Sequence, residues 1–109
     1  MSFSPRIRIV RKIVYLPLAR ADLLEAITYI GRQLDSPQAA KALHNAFLDA
    51  VEHVAAFPYA YELYRTDRPM LDEIRKVPVK GYVLYYTVYE DRIELRRFLR
   101  GRRERKDMI

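Results

Sequence analysis

Few side chains in this sequence are suited to covalent or metal chemistry. The only histidines, His44 and His53, lie nine residues apart on a segment with helical periodicity, so they miss the i, i+4 spacing that puts two ligands on one helix face. There is no cysteine, which excludes a disulfide scaffold, a thiolate metal site and a thiol nucleophile. Ser2, Ser4 and Ser36 fall at the chain start and at an expected helix cap, leaving no support for a Ser-His-Asp triad. Three glycines are too few for a phosphate-cradling loop of the usual kinds. No metal and no cofactor is expected. What remains is a set of cations and tyrosines: Arg65, Arg75, Lys76, Lys80, Tyr82, Tyr86, Arg97, Arg100 and Arg103. Guanidinium and ammonium groups neutralise phosphate or carboxylate, and aromatic rings stack on unpaired bases, so the set suits RNA or an acidic protein.

The charge is unevenly distributed. The net charge is +6 over 109 residues. Residues 92–107 hold Arg92, Arg96, Arg97, Arg100, Arg102, Arg103, Arg105 and Lys106 against Glu94, Glu104 and Asp107. Residues 18–63 carry six acids (Asp22, Glu25, Asp35, Asp49, Glu52, Glu62) and three bases (Arg20, Arg32, Lys41). One end of the chain is therefore a positive field that attracts phosphates or an acidic partner.

These residues need a scaffold, and its elements follow from the hydrophobic pattern. Residues 8–16 read as a strand rich in Ile and Val that Pro17 ends. Residues 19–33 read as a helix with Leu23, Ile27, Ile30 and Leu34 on one stripe, and with Asp22 and Glu25 near its positive end. Residues 37–56 read as a second helix, with Ser36 as N-cap, Pro37 first in the helix and Ala40, Leu43, Phe47, Val51 and Val54 on its buried stripe. The short Asp35-Ser36 link implies an antiparallel helical hairpin. An irregular loop over 58–71 leads to three strands, Glu73–Val79, Tyr82–Tyr89 and Arg92–Leu99. In the last of these, Arg96-Arg97 breaks the alternation between Leu95 and Phe98, which a β-bulge would reconcile. The expected fold is α+β, in the order β-α-α-β-β-β, with the helical hairpin packed on a curved antiparallel sheet. The helices would bury one sheet face, and the other would carry the tyrosines and arginines.

Length and composition suit one domain over residues 1–109, with 1–7 a flexible extension. No apolar run reaches the roughly 18 residues of a membrane span. The start Met1-Ser2-Phe3-Ser4-Pro5-Arg6 lacks a signal-peptide pattern, so a soluble cytoplasmic protein is expected.

Order and residues together resemble the RelE/ParE toxin superfamily. The resemblance rests on Leu18-Ala19-Arg20-Ala21-Asp22-Leu23-Leu24 through Tyr29-Ile30, Ala39-Ala40, Phe57-Pro58, the spacing from Arg75 to Tyr82 and Tyr86, and Arg97-Phe98-Leu99-Arg100-Gly101. It implies the toxin half of a type II toxin–antitoxin pair, with a cognate antitoxin as partner and no metal or membrane involved. RelE-like members cut messenger RNA on the ribosome. ParE-like members bind DNA gyrase. Against the nuclease pattern Lys76 and Arg103 match, while Val83 stands where a catalytic arginine is expected and Ile109 where a terminal tyrosine is expected. The resemblance thus favours the gyrase-binding side, with Arg65, Tyr82, Arg97, Arg100, Arg102 and Arg103 as target-binding residues. The alternative nuclease would use Arg75, Lys76, Tyr86 and Arg103. A third reading is a non-toxic scaffold that binds the antitoxin.

Overall fold

The computed structural model describes residues 10–65 and 71–101. Its elements are β1 (Lys12–Tyr15), α1 (Pro17–Gln33), α2 (Pro37–Ala56), β2 (Arg75–Val79), β3 (Tyr82–Val88) and β4 (Arg92–Arg100). The element order matches the expectation, and the fold is α+β. The sheet, however, is mixed. Its strand order is β1-β4-β3-β2, and β1 runs parallel to β4, with Lys12 opposite Arg92 and Tyr15 opposite Leu95. The helical hairpin carries the chain across one sheet face, so β1 and the last strand end up as parallel neighbours. Among the described residues no helix is long and apolar enough to cross a membrane.

Local chemistry sets the helix ends. Pro17, expected only to stop β1, also opens α1 two residues before the expected start, because its fixed φ suits the first helical position. Ser36 caps α2 by accepting from the Ala39 N–H at 3.1 Å. Between the helices Asp35 takes a positive φ of 48° and reverses the chain in two steps. Gly31 faces Ala40 across the hairpin, where an added Cβ would touch the Ala40 Cβ at 3.4 Å, an ordinary van der Waals contact.

The helix-facing core contains Leu43, Phe47 and Val54 from α2, Val77 and Val79 from β2, and Leu84, Ile93, Leu95 and Phe98 from β3 and β4. The expected bulge is present. Tyr85 pairs with Arg97 while Tyr86 pairs with Leu95, so Arg96 is the extra residue and Leu95 and Phe98 both reach the same core. Tyr82 and Tyr86 belong to this core as well. They alternate in step with Leu84, so the helices cover them; the expectation of an exposed tyrosine face is corrected here. The opposite face has its own small cluster of Ile74, Tyr85 and Leu99, packed with Tyr64 and Val83. Within the 58–71 connection, residues 62–64 are more regular than expected. Leu63 bridges to Arg75, with Tyr64 N–H donating to the Ile74 carbonyl and Lys76 N–H to the Glu62 carbonyl.

The buried stripe of α1 is Ala19, Asp22 and Ala26, with Leu23, Ile27 and Ile30 half-buried. Leu34, expected on that stripe, is exposed, and so is Leu24. Asp22 was expected near the helix start for its dipole, but it points into the fold. Its Oδ2 accepts from Arg97 Nε at 2.6 Å and from the Phe98 N–H at 3.0 Å, and its Oδ1 accepts from Arg97 Nη2 at 3.0 Å. Removing one member of a buried pair strands the other charge, which costs about 3–5 kcal/mol. Asp22→Ala is therefore expected to lower unfolding free energy by about 3 kcal/mol in urea titration. Asp22→Asn, which keeps an acceptor for Phe98, is expected to lose less, and equal losses would show that charge is irrelevant to this joint.

Candidate functional site

The cations and tyrosines singled out in the sequence do not form one constellation. They divide between structural anchors and two separate surfaces.

Tyr86 is fully buried, and its hydroxyl donates to the Pro58 carbonyl at 2.8 Å. Arg75 Nη1 donates to the Tyr61 carbonyl at 2.7 Å, and its Nη2 lies 3.8 Å from Glu73. Both residues come from adjacent strands in register, Arg75 opposite Tyr86. Together they fasten the 58–61 turn to the sheet. Burial pushes the Tyr86 hydroxyl up to about 12, and the Arg75 charge offsets part of that rise. Lys76 occupies the other sheet face, 3.4 Å from Glu62. So of the four nuclease candidates, Arg75 and Tyr86 hold the chain in place, Lys76 sits in a partly exposed ion pair, and Arg103 lies outside the described residues.

Among the target-binding candidates, Tyr82 stacks on Phe98 with ring centroids 5.0 Å apart, and burial raises its hydroxyl pKa. Arg97 is committed to Asp22, and that hydrogen bond raises its already high pKa. Arg100 is exposed at the end of β4, with its guanidinium 5.3 Å from the Tyr29 ring. Arg65 is exposed beyond the Leu63 bridge. Arg102 lies outside the described residues. Among the described residues, Arg100 and Lys80 are exposed cations at this end of the sheet. Lys80 sits in the β2–β3 turn with φ 48° beside Gly81 at 84°, as a type I′ hairpin requires.

The edge of β2 is flanked by a cleft on each side. One, of about 400 Å³, lies between α2 and β2, with Ala46, Ala50, Val77 and Val79 among its apolar walls and Asp49, His53 and Lys80 at its polar margin. The other, of about 470 Å³, lies on the opposite sheet face and is lined by Ala60, Tyr61, Glu62, Lys76, Pro78 and Val83. Tyr61 and Pro78 border both. His53 and His44 are exposed on α2, and His53 Nδ1 lies 3.0 Å from the Asp49 carbonyl. Among the described residues no group of three His, Asp or Glu side chains could hold a metal ion.

The opposite end of the sheet carries residues that the sequence reading passed over. Tyr59 lies between two guanidinium groups, Arg11 at 5.6 Å and Arg75 at 5.2 Å from its ring centre. Phe57, read only as part of a helix stop, is 63% exposed, and Tyr59 is 58% exposed. The missed signal was an aromatic pair flanking the proline, in a connection too short to bury both.

The described residues thus offer a sheet edge flanked by two clefts, exposed cations at both sheet ends, and a Tyr86 hydroxyl committed to the Pro58 carbonyl. Residues 13–105 match the family model for the ParE toxin of the type II toxin–antitoxin system parDE, and the chain belongs to that family. Among solved structures, the fold is similar to one titled "Chromosomal ParDE TA system from P. aeruginosa", with a TM-score of 0.67 and 15% sequence identity over 84% of this chain and 96% of that one. No curated protein sequence matches the chain.

The Tyr86 environment is open to direct measurement. A tyrosine whose folded pKa is raised stabilises the fold fully below the unfolded value near 10, and that contribution is lost as pH rises toward about 12. Ultraviolet titration of the folded chain should show one hydroxyl ionising about two pH units late, and Tyr86→Phe should abolish that late phase. The same substitution should cost about 1 kcal/mol of stability, since it leaves the Pro58 carbonyl without its donor.

Proposed function

We propose that this chain is a toxin that acts by binding, with DNA gyrase as its target in the cytoplasm and a cognate antitoxin as the partner that restrains it. The observation that carries the reading is the fate of the tyrosine hydroxyls. A metal-independent ribonuclease needs a proton-transfer group beside the scissile phosphate. Tyr86, the candidate in the nuclease set, is fully buried and spends its hydroxyl on Pro58. Arg75 spends its guanidinium on Tyr61 and Glu73. These commitments favour a scaffold that grips a protein over one that cuts RNA, and the family match supports the same side.

The antitoxin reading rests on the hairpin and the β2 edge. Leu24 on α1, Leu34 just after it and Leu48 on α2 are exposed, and the two clefts continue around Pro78. Proline at this edge removes a donor and weakens simple strand addition, so side-chain docking into the clefts should dominate. An amphipathic helix laid over the hairpin would bury these leucines, and an acidic tail reaching the β2 edge would meet Lys76 and Lys80 at the clefts. Replacing Leu24 and Leu48 together by glutamate should leave the melting temperature nearly unchanged, because both are exposed. It should weaken co-elution with the co-expressed antitoxin about tenfold or more. Undiminished co-elution would move the antitoxin elsewhere.

The target is tested by expressing the chain without antitoxin. Growth arrest with inhibited supercoiling by purified gyrase, and unchanged messenger RNA 5′ ends, is the expected result. Tyr86→Phe should retain toxicity, whereas a nuclease relying on that hydroxyl would lose about 10²-fold. Cleaved codons that vanish in Tyr86→Phe would reverse the assignment. Loss of toxicity on changing Arg100 to Ala together with Arg103 to Ala should be graded, since exposed charges each contribute modestly.

A further inference from the structure

The sheet end that carries Arg11, Phe57 and Tyr59 is not absorbed by the reading above. Phe57 and Tyr59 sit on one turn, closed by the Ala60 N–H donating to the Phe57 carbonyl. The turn is held from below by Tyr86 and Arg75 and from the side by the Arg11 and Arg75 guanidinium groups on Tyr59. Arg11 is itself fixed, its Nε donating to the Tyr89 carbonyl at 2.8 Å. Beside it in the chain, Val10 is exposed. Large apolar side chains in water are ordinary one at a time. Here two aromatic residues are displayed on a turn pinned by two hydrogen bonds from the sheet, which lowers the entropy lost when a partner binds.

The charges at this end separate Arg11 from its neighbours. Arg92 is neutralised by Asp91 and Glu94, both at 2.9 Å, and Arg75 faces Glu73. The Asp72 carboxylate accepts from the Tyr89 hydroxyl. Among the described residues Arg11 has no carboxylate partner, and with Nε occupied its terminal nitrogens are the donors left to it. One oriented guanidinium beside exposed aromatic rings matches a carboxylate flanked by an apolar side chain. Lys12, the next residue, is exposed at the same end and adds positive charge that draws an acidic segment toward the Arg11 guanidinium and the two rings.

We propose that Arg11, Phe57 and Tyr59 form a protein-contact surface for an acidic segment that presents a carboxylate beside an aliphatic side chain. The surface lies at the opposite end of β4 from Arg100. Its occupancy does not depend on gyrase being the target: a chain that leaves gyrase untouched but binds such a segment here keeps this proposal and loses only the former one.

The test is nuclear magnetic resonance of the full, isotopically labelled chain titrated with a short capped peptide of alternating leucine and glutamate. The expected result is chemical-shift change at the Arg11 side chain and the Phe57 and Tyr59 rings, with no matching response to the peptide carrying lysine for glutamate. Arg11→Gln should weaken binding about tenfold, and Phe57→Ser with Tyr59→Ser should do the same through the apolar half of the contact. Unchanged amide spectra elsewhere would confirm that each variant is folded. If Arg11→Gln disturbs the fold, the exposed serine pair carries the test alone. No binding, shifts confined to the Arg100 end, or equal response at this turn to the lysine peptide or a single-stranded oligonucleotide would overturn the proposal.

Discussion

The joint between Asp22 and the middle of β4 is the interaction on which the rest of the fold depends. β1 pairs with β4 only from Arg92 to Leu95, and then the chain turns at Leu16 into α1. Beyond that point β4 continues to Arg100 with its outer edge unpaired by β1. A carboxylate from α1 takes the place of the missing strand. It accepts the Phe98 N–H and pairs with Arg97, whose side chain is 13% exposed. The same contact sits beside the bulge at Arg96, which keeps Leu95 and Phe98 on one face. Without the joint, a buried donor and a desolvated guanidinium would both be left unpaired, so helix placement and strand geometry are secured together.

A second consequence concerns where chemistry can happen. Burial of the sheet's helix face claims Tyr82 and Tyr86, and burial on the other face claims Tyr85 under Tyr64, with rings 5.3 Å apart. A sheet covered in this way on both sides commits the Tyr86 hydroxyl to the Pro58 carbonyl. The surfaces that remain are the sheet ends, the β2 edge and the top of the hairpin. They are separate from one another, so a partner covering one of them leaves the others exposed.

The connection after α2 shows how packing creates such a surface. Pro58 ends the helix, and the carbonyls of Pro58 and Tyr61 are then taken by side chains of β3 and β2. Those two bonds leave the aromatic side chains of Phe57 and Tyr59 facing water. The same pair of residues, Arg75 and Tyr86, therefore supports the display of Phe57 and Tyr59, with Arg75 also resting on the Tyr59 ring.

Much was legible in the residue order because it depends on local rules. Helical spacing marked both helices, Ser36 and Pro37 marked the start of α2, and the broken alternation at Arg96-Arg97 marked the bulge. Resemblance in these same stretches was enough to place the family. The direction of β1 was not legible, since strand pairing depends on how the hairpin crosses the sheet and not on the strand's own residues. Nor was the role of Asp22: a carboxylate in the first turns of a helix looks the same in sequence whether it faces solvent or an arginine 75 residues away. For the tyrosines and arginines of β3 and β4, residue type gave the available chemistry, and register decided its use. A tyrosine one step along a strand changes face, and only the packed sheet determines whether its hydroxyl meets water, a backbone carbonyl or a partner.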